Sequence, residues 1–358
     1  MAKTRVAFVG TGGRSMTHIE RLKNFGDVEL VGFMDLIPER AREKQVYAGT
    51  GKAYEDYVEM LEDSRPDALY VCVSPDGHGF IEREAIARGI HLFIEKPIAL
   101  TMDLAEEICA AAKSKNLVTC IGFQDRYLDI VEQAQEWMRG RKVGLVDGAW
   151  VGGLPGPPWY PKYATCGGQL LEQNIHIFDM LRFLFGEPAS VYCSGGRGII
   201  EMDGYDLHDY SSAVITMESG VVATLFSGCY LGEGSPGYTN GMNIHCKDRT
   251  IRYKLRDKVT LETRTENITY WKRAADWQTT MNRIFIDAVK TGDTSAILSP
   301  YEDAMKTLRL CLACNESMET GKVIKMSGPN NLNDLFAGYT GDYDFVMDDM
   351  GRAGKEVL

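Results

Sequence analysis

The alternation of short apolar runs with helical stretches over residues 4–122 constrains the fold of this chain more than any other feature. Strands that alternate with helices of about 10–15 residues are typical of a parallel, doubly wound sheet. The apolar runs are Val6–Val9, Leu30–Met34, Ala68–Val73, His91–Ile94 and Leu117–Ile121. The helical stretches are Pro38–Tyr47, Tyr54–Leu61, Phe80–Arg88 and Met102–Lys115. We therefore predict an N-terminal α/β domain with a parallel, doubly wound sheet over residues 1–123.

The pattern changes after Gly122, which indicates a second domain over residues 124–327. A helix over residues 129–139 precedes a strand over 143–151, a loop rich in proline and aromatic residues, and a helix from about Gln169 to Phe185. Residues 188–275 predict a largely antiparallel sheet, with a hairpin at Glu218-Ser219-Gly220, and residues 278–291 and 300–321 return to helix. Residues 328–358 read as an irregular tail, docked through its aromatic residues Phe336, Tyr339, Tyr343 and Phe345.

Length, charge and cysteine usage limit the classes of function. A chain of 358 residues suggests about two domains. Its net charge of -11 disfavours nucleic acid and anionic membrane surfaces as partners. We find neither an apolar run long enough for a transmembrane helix nor a signal-peptide pattern, and most cysteines lie in apolar segments. Cys311 and Cys314 have zinc-like spacing but lack a second pair, so we expect free thiols, no metal and a cytoplasmic protein.

A glycine-rich turn follows the first strand and indicates a dinucleotide site. The turn differs from the dinucleotide fingerprint by one residue, since the small Ser15 replaces the third glycine. The N–H groups at the start of the following helix can bind phosphate, and Arg14 can add a charged contact. Asp35 closes the second strand, where its carboxylate could bind both ribose hydroxyls and repel a 2′-phosphate, so we expect NAD rather than NADP. The residues of the turn are Gly10, Thr11, Gly12, Gly13, Arg14 and Ser15.

Polar residues follow three further strands of the predicted parallel sheet. Ligands bind at the carboxyl ends of such strands, so these residues should line one edge. Taken singly, each could be an ordinary turn or a solvated side chain. The strand ends carry Ser74-Pro75-Asp76-Gly77-His78, then Glu95-Lys96-Pro97, then Gln124 and Arg126.

The predicted helix from about Gln169 carries three ionisable residues at helical spacing. Glu172, His176 and Asp179 are four and then three residues apart, so one continuous helix places them on one face. Such a face can be a solvated stripe, or a histidine satisfied by a neighbouring carboxylate; a zinc site would need a third ligand that is not evident. The functional interpretation makes His176 an acid/base group, because imidazole titrates near neutral pH.

These motifs resemble the Gfo/Idh/MocA family of NAD(P)-dependent oxidoreductases over roughly residues 4–325. The opening matches as Gly10-x-Gly12-x-x-Ser15-x-x-His18, and the most specific element is Glu95-Lys96-Pro97. Ser74-Pro75-x-x-His78, Gly122-Phe123-Gln124-x-Arg126 and Gly167-Gly168-x-Leu170 with His176 and Asp179 also match. The chain departs from many relatives in having Glu172 in place of Asp and Asn174 in place of Gly.

The resemblance implies a Rossmann domain, a second α/β domain with an open antiparallel sheet, and oxidation or reduction of a sugar, cyclitol or related polyol. It makes Lys96 and His176 the catalytic pair, with Glu172 orienting one of them. The expected cofactor contacts are Gly10, Thr11, Gly12, Gly13, Arg14, Ser15, Asp35, Ser74, Pro75, Asp76, His78, Glu95, Lys96 and Gln124. The expected substrate contacts are Lys96, Arg126, Trp159, Lys162, Asn174, His176 and Asp179.

The same resemblance leaves two other functions open. Some relatives retain NAD and cleave glycosidic bonds through transient oxidation, and a few bind NAD as non-catalytic regulators. The departures at Glu172 and Asn174 leave room for the former, and the presence of Lys96 and His176 argues against the latter. The open sheet commonly forms the dimer interface in this family, so we expect a homodimer or homotetramer.

Overall fold

A six-stranded parallel sheet forms the first half of the molecule, in a computed structural model that describes residues 2–273 and 276–326. The strand order is β3-β2-β1-β4-β5-β6, and every adjacent pair is parallel, which confirms the predicted doubly wound architecture. The strands are β1 (Thr4–Val9), β2 (Val28–Met34), β3 (Lys52–Tyr54), β4 (Ala68–Val71), β5 (His91–Ile94) and β6 (Thr119–Ile121).

Strand β3 is absent from the sequence-based prediction, because three residues are too few to produce a periodic pattern. The helix that we predicted from Tyr54 is wrong in its start: Tyr54 ends β3 and the helix begins at Tyr57. Asp56 caps this helix by accepting a hydrogen bond from the backbone N–H of Glu59. The helices of this half are α1 (Gly13–Leu22), α2 (Pro38–Ala48), α3 (Tyr57–Ser64), α4 (Phe80–Ala87) and α5 (Met102–Ser114).

A nine-stranded sheet forms the second half. Its order is β14-β13-β12-β11-β7-β10-β9-β8-β15, and all adjacent pairs are antiparallel except β7 with β10. The predicted hairpin joins β9 and β10. The strands are β7 (Val143–Val151), β8 (Pro188–Gly196), β9 (Tyr210–Met217), β10 (Val222–Gly228), β11 (Gly241–Cys246), β12 (Thr250–Lys254), β13 (Lys258–Glu262), β14 (Asn267–Trp271) and β15 (Ile324–Lys325).

Six helices occur among the described residues of this half, and the predicted helix from Gln169 to Phe185 is broken in the structure. It consists of α8 and α9, with Gln173 and Asn174 between them. The amide of Asn174 donates to the carbonyl of Trp150 at 3.1 Å, which ties the break to β7. The helices are α6 (Asp129–Met138), α7 (Tyr163–Cys166), α8 (Gln169–Glu172), α9 (Ile175–Phe185), α10 (Trp277–Thr291) and α11 (Tyr301–Thr320).

Helix α10 packs on the first sheet, although its sequence position lies within the predicted second domain. Its buried residues Met281, Phe285 and Ile286 share a core with residues of the parallel sheet such as Phe8 and Tyr70. The ring of Phe285 contacts Tyr70 edge-on, with centroids 5.6 Å apart. This packing also brings α10 against α1, where Asn282 contacts His18 and Asp276 accepts from Arg21.

The described residues add three observations on the sequence-based expectations. Across them, no helix is both long and apolar enough to cross a bilayer. The nine cysteines all lie in this part of the chain and are free thiols. The predicted tail over residues 328–358, with its four aromatic residues, lies outside the described residues.

Candidate active site

The glycine-rich turn leads directly into α1, and its shape fits a bound dinucleotide. Gly10 has φ +80°, and a methyl group there would lie 2.3 Å from the carbonyl oxygen of Cys72, so the turn requires glycine. By contrast, a methyl group on Gly12 or Gly13 would meet no described atom within 4 Å. Open space at these glycines, beside the N-terminus of a ten-residue helix, is the cradle that a pyrophosphate needs.

Asp35 follows β2 and lies against the same turn. Its Oδ2 accepts hydrogen bonds from the backbone N–H of Thr11 at 2.7 Å and from the Thr11 hydroxyl at 3.1 Å, and its Oδ1 accepts from the N–H of Ile37. The carboxylate therefore fixes the first residues of the turn. It also places a negative charge at the end of β2, where the family fingerprint binds ribose.

Glu95 lies beneath the turn at the centre of a buried polar cluster. Its Oε1 accepts from Arg14 at 2.7 Å and lies 2.9 Å from Nε2 of His18, and the side chain is almost fully buried. Arg14 also donates to the amide oxygen of Gln124 at 2.6 Å. Although burial opposes ionisation, Arg14 and His18 lower the pKa of Glu95 to about 2. Arg14 thus links Glu95 to Gln124, and both of these residues are predicted to contact the cofactor.

Lys96 follows β5 and meets the second half of the molecule at α8. Its ammonium group donates to the backbone carbonyl of Glu172 at 2.6 Å and lies 3.2 Å from that residue's Oε1. Both side chains are mostly buried, with 14% and 16% of the lysine and glutamate side chains exposed. The longer carboxylic side chain at position 172 therefore still reaches the lysine.

His176 lies in the first turn of α9, with its ring fixed by two aromatic neighbours. The indole of Trp150 stacks on it at 5.7 Å and 18°, and the ring of Phe123 meets it edge-on at 6.2 Å. Burial, together with the positive charges of Arg256, Lys96 and Arg14, holds the pKa of His176 well below its usual range. A histidine in this state is neutral at neutral pH and can accept a proton.

An ion pair that sequence reasoning missed lies beside this histidine. Arg256 donates to both oxygens of Asp125, at 2.7 and 2.9 Å, and its guanidinium lies 5.4 Å from the centre of the Trp150 ring. Asp125 Oδ2 lies 4.0 Å from Nδ1 of His176. Asp125 stands between two residues of a recognised motif, but nothing in the sequence indicates that Arg256, in the turn after β12, reaches it.

Arg126 and Asp179, both predicted substrate contacts, are paired with each other instead. Nε of Arg126 donates to Asp179 at 2.8 Å and Nη2 at 2.5 Å, and less than one-twentieth of each side chain is exposed. Thr307 donates to the same carboxylate and Asp303 pairs with the same arginine. Because the helix is broken after Glu172, that residue lies in α8 while His176 and Asp179 lie in α9, so the three do not share one continuous helix face, which corrects that prediction.

The remaining predicted residues lie around this centre. The Ser74 hydroxyl donates to Asp76 at 2.5 Å in the short 3₁₀ segment Pro75–Gly77, and His78 pairs with Glu82 at 2.7 Å, where both side chains are buried. Trp159 is half-buried and Lys162 is exposed in the loop before α7. Asn174 is fully buried at the helix break.

Two family models match this chain in succession. Residues 4–123 match the oxidoreductase family with an NAD-binding Rossmann fold, and residues 141–252 match the GFO/IDH/MocA C-terminal domain. Together the two matches cover more than half of the chain.

Similar proteins and structures agree with these matches. The chain is 25% identical to the myo-inositol 2-dehydrogenase of Thermotoga maritima over 90% of its own length and 98% of that protein's. A putative NADPH-dependent oxidoreductase from Desulfitobacterium hafniense has a similar fold, with a TM-score of 0.81, 17% identity, and 91% and 98% of the two chains covered. Levoglucosan dehydrogenase, solved with NADH and levoglucosan, has a TM-score of 0.80 and 17% identity, with 91% and 100% covered.

Proposed function

Because this chain belongs to the Gfo/Idh/MocA family of oxidoreductases, we propose that it is an NAD-dependent dehydrogenase of a sugar, cyclitol or related polyol, with Lys96 and His176 as its catalytic pair. The observation that carries the proposal is the pairing of Lys96 with Glu172 at the end of α8, directly before the helix that carries His176. The positive charge of Lys96 is also one of the causes that lower the pKa of His176.

Different residues of the chain bind the cofactor, accept the proton and stabilise charge during alcohol oxidation. Bound NAD, held by residues 10–15 and Asp35, supplies the hydride acceptor. His176 is neutral at physiological pH and takes the proton of the substrate hydroxyl. Lys96 donates a hydrogen bond to the same oxygen and stabilises the negative charge that develops there, while Glu172 holds the ammonium group in place.

The charges around this centre favour an uncharged substrate. Lys96 has Glu172 as its partner, Arg256 has Asp125, and Arg14 has Glu95, each at 3.2 Å or less. A substrate carboxylate or phosphate would have to compete with these protein carboxylates. Neutral hydroxyl groups can instead be added to the existing pairs as donors and acceptors, so we place neutral polyols ahead of sugar acids and sugar phosphates.

The test combines the protein and NAD with a panel of sugars, inositols and glycosides, reading NADH absorbance and released sugars together. NADH formation from a neutral polyol is the expected result. Free sugar released from a glycoside without net NADH would overturn the proposal in favour of redox-assisted cleavage. On a confirmed substrate, Lys96→Ala and His176→Ala should each lower kcat by at least about a hundredfold. Near-wild-type turnover in both variants would refute the assignment of the pair.

We also propose that the second sheet forms a homodimer or homotetramer. Its outer face exposes Tyr192, Tyr210, Val214 and Phe226 from the adjacent strands β8, β9 and β10, and Tyr192 lies directly opposite Val214. Apolar side chains gathered on one sheet face are characteristic of an interface. Light scattering should give a mass of at least two chains for the wild type, and Phe226→Glu should lower it. A wild-type monomer would refute this proposal.

A further inference from the structure

The ion pair between Asp125 and Arg256 joins two parts of the chain that are far apart in sequence. Asp125 lies in the 3₁₀ segment Gln124–Tyr127 after the first sheet, and Arg256 lies in the turn between β12 and β13. The carboxylate is buried, and both of its oxygens accept from the guanidinium. A bidentate pair of this kind fixes the position and the plane of the carboxylate.

The fixed carboxylate faces one particular nitrogen of His176. Trp150 on its face and Phe123 at its edge leave the imidazole ring little freedom to turn. Its Nδ1 is buried, has no hydrogen-bond partner among the described residues, and lies 4.0 Å from Oδ2 of Asp125. An N–H bond directed at a carboxylate is favourable, whereas a lone pair directed at it is repelled, so the carboxylate selects the tautomer that carries hydrogen on Nδ1.

We propose that Asp125, held by Arg256, is a positioning residue that keeps hydrogen on Nδ1 of His176 and so leaves Nε2 as the basic nitrogen. The catalytic consequence rests on the proposed function, since only a proton-accepting His176 needs a lone pair on Nε2. When Nε2 takes the hydroxyl proton, the ring becomes a cation and the carboxylate 4.0 Å away stabilises it. The hydroxyl O–H bond breaks and the Nε2–H bond forms, while the hydrogen on Nδ1 stays in place.

Arg256 also acts on His176 itself: its positive charge disfavours the protonated imidazole, whereas the negative charge of Asp125 favours it. Besides burial, three cations lower the pKa of His176: Arg256 in the β12–β13 turn, Lys96 after β5 and Arg14 in α1, the last two paired with Glu172 and Glu95. Asp125, in the 3₁₀ segment, is the carboxylate that lies 4.0 Å from its Nδ1. The cations keep the imidazole neutral before the reaction, while Asp125 supports the charge formed during it. Removing Asp125 should therefore change the tautomer of His176, whereas removing Arg256 should change its pKa.

A purely structural cross-link would behave differently. If the pair served only to join the 3₁₀ segment to the β12–β13 turn, Asp125→Asn and Arg256→Met would both weaken folding. Neither would change the tautomer or the proton affinity of His176 in a residue-specific way.

Nitrogen-15 NMR of the imidazole rings tests the proposal directly and needs no substrate. The chain has six histidines, and the His176→Gln spectrum identifies the signals of that ring. The wild type at pH 7.5 should show His176 with hydrogen on Nδ1. Asp125→Asn should shift the population toward the Nε2–H tautomer, and Arg256→Met should raise the pKa of His176 by about one pH unit. Asp129→Asn, which removes a carboxylate facing Tyr270 and Arg273, is the matched control and should change neither.

A failure of the tautomer assignment can be distinguished from a failure of the proposed dehydrogenase function. Hydrogen on Nε2 in the wild type would overturn the proposal even if both substitutions fail to fold, and so would an unchanged pKa in a folded Arg256→Met variant. On a confirmed polyol, Asp125→Asn should lower kcat at least about tenfold with little change in KM, and Arg256→Met should move the acidic limb of the rate profile to higher pH. A protein with the expected tautomer that oxidises no polyol would refute the function and leave the tautomer assignment standing.

Discussion

Replacing Gly122 with alanine should break the ion cluster beneath the glycine-rich turn. Gly122 is buried after β6, and a methyl group on it would lie 2.6 Å from Oε2 and 2.7 Å from Oε1 of Glu95. The carboxylate cannot withdraw freely, because Arg14 and His18 hold it at 2.7 and 2.9 Å. The methyl group must therefore displace a charge that these two partners stabilise.

The pKa of Glu95 gives the size of the expected loss. The cluster lowers that pKa from its ordinary 4.5 to about 2, which corresponds to about 3 kcal/mol in favour of the folded state at neutral pH. Because the folded-state pKa is the lower one, this contribution is complete above about pH 4.5 and disappears as the pH falls toward 2. We expect Gly122→Ala to lose most of it, with a difference from wild type that narrows over that interval.

Denaturant unfolding between pH 7 and pH 3 measures this effect. Gly144→Ala in β7 is the matched control, because its methyl group would meet no described atom within 4 Å and, like Gly122, it lacks a positive φ. Calorimetric titration with NAD gives a second readout, since Arg14 lies in the first turn of the helix beside the cradle. A Gly122→Ala variant within about 1 kcal/mol of wild type at pH 7 would show that Glu95 moves without cost and would refute the reasoning.

Three further outcomes follow from the site. Since burial and the nearby cations hold the pKa of His176 well below 6.5, that base stays unprotonated on mild acidification, and the acidic limb of the rate of polyol oxidation should lie well below pH 6.5; a limb near 6.5 would contradict the burial of the ring. Asp179→Asn should lower the free energy of unfolding by about 3 kcal/mol in denaturant melts, because it leaves the buried Arg126 with one carboxylate fewer, and a near-neutral result would show that this buried pair adds little to stability. Asp35→Asn should narrow the preference for NAD over NADP in calorimetric titrations, because it removes the charge that repels a 2′-phosphate, while an unchanged ratio would mean that Asp35 serves only to hold the turn at Thr11.

The parts of the fold and site that the sequence predicts are those with local signals. The parallel sheet follows from repeated apolar runs, and Gly10 and Lys96 are recognisable because they lie one and two residues after the ends of β1 and β5. Strand β3 escapes prediction, since Lys52–Tyr54 is stabilised by pairing with β2 rather than by its own pattern. The break at Asn174 is equally invisible, because its cause is a hydrogen bond to Trp150 from another strand.

Charge pairing across long sequence distances is the part of the site that the sequence does not reveal. Arg126 and Asp125 are neighbours, and the sequence favours the arginine as a ligand-binding residue, yet the fold satisfies Arg126 with Asp179 and turns Asp125 toward His176. Asp125 can lie there only because Arg256, more than a hundred residues later, offsets its charge. A buried carboxylate without that partner would be costly. The tautomer and pKa of His176 therefore depend on Arg256, in the turn between β12 and β13. Substitutions in that turn should change these two properties and leave the recognised motifs in place.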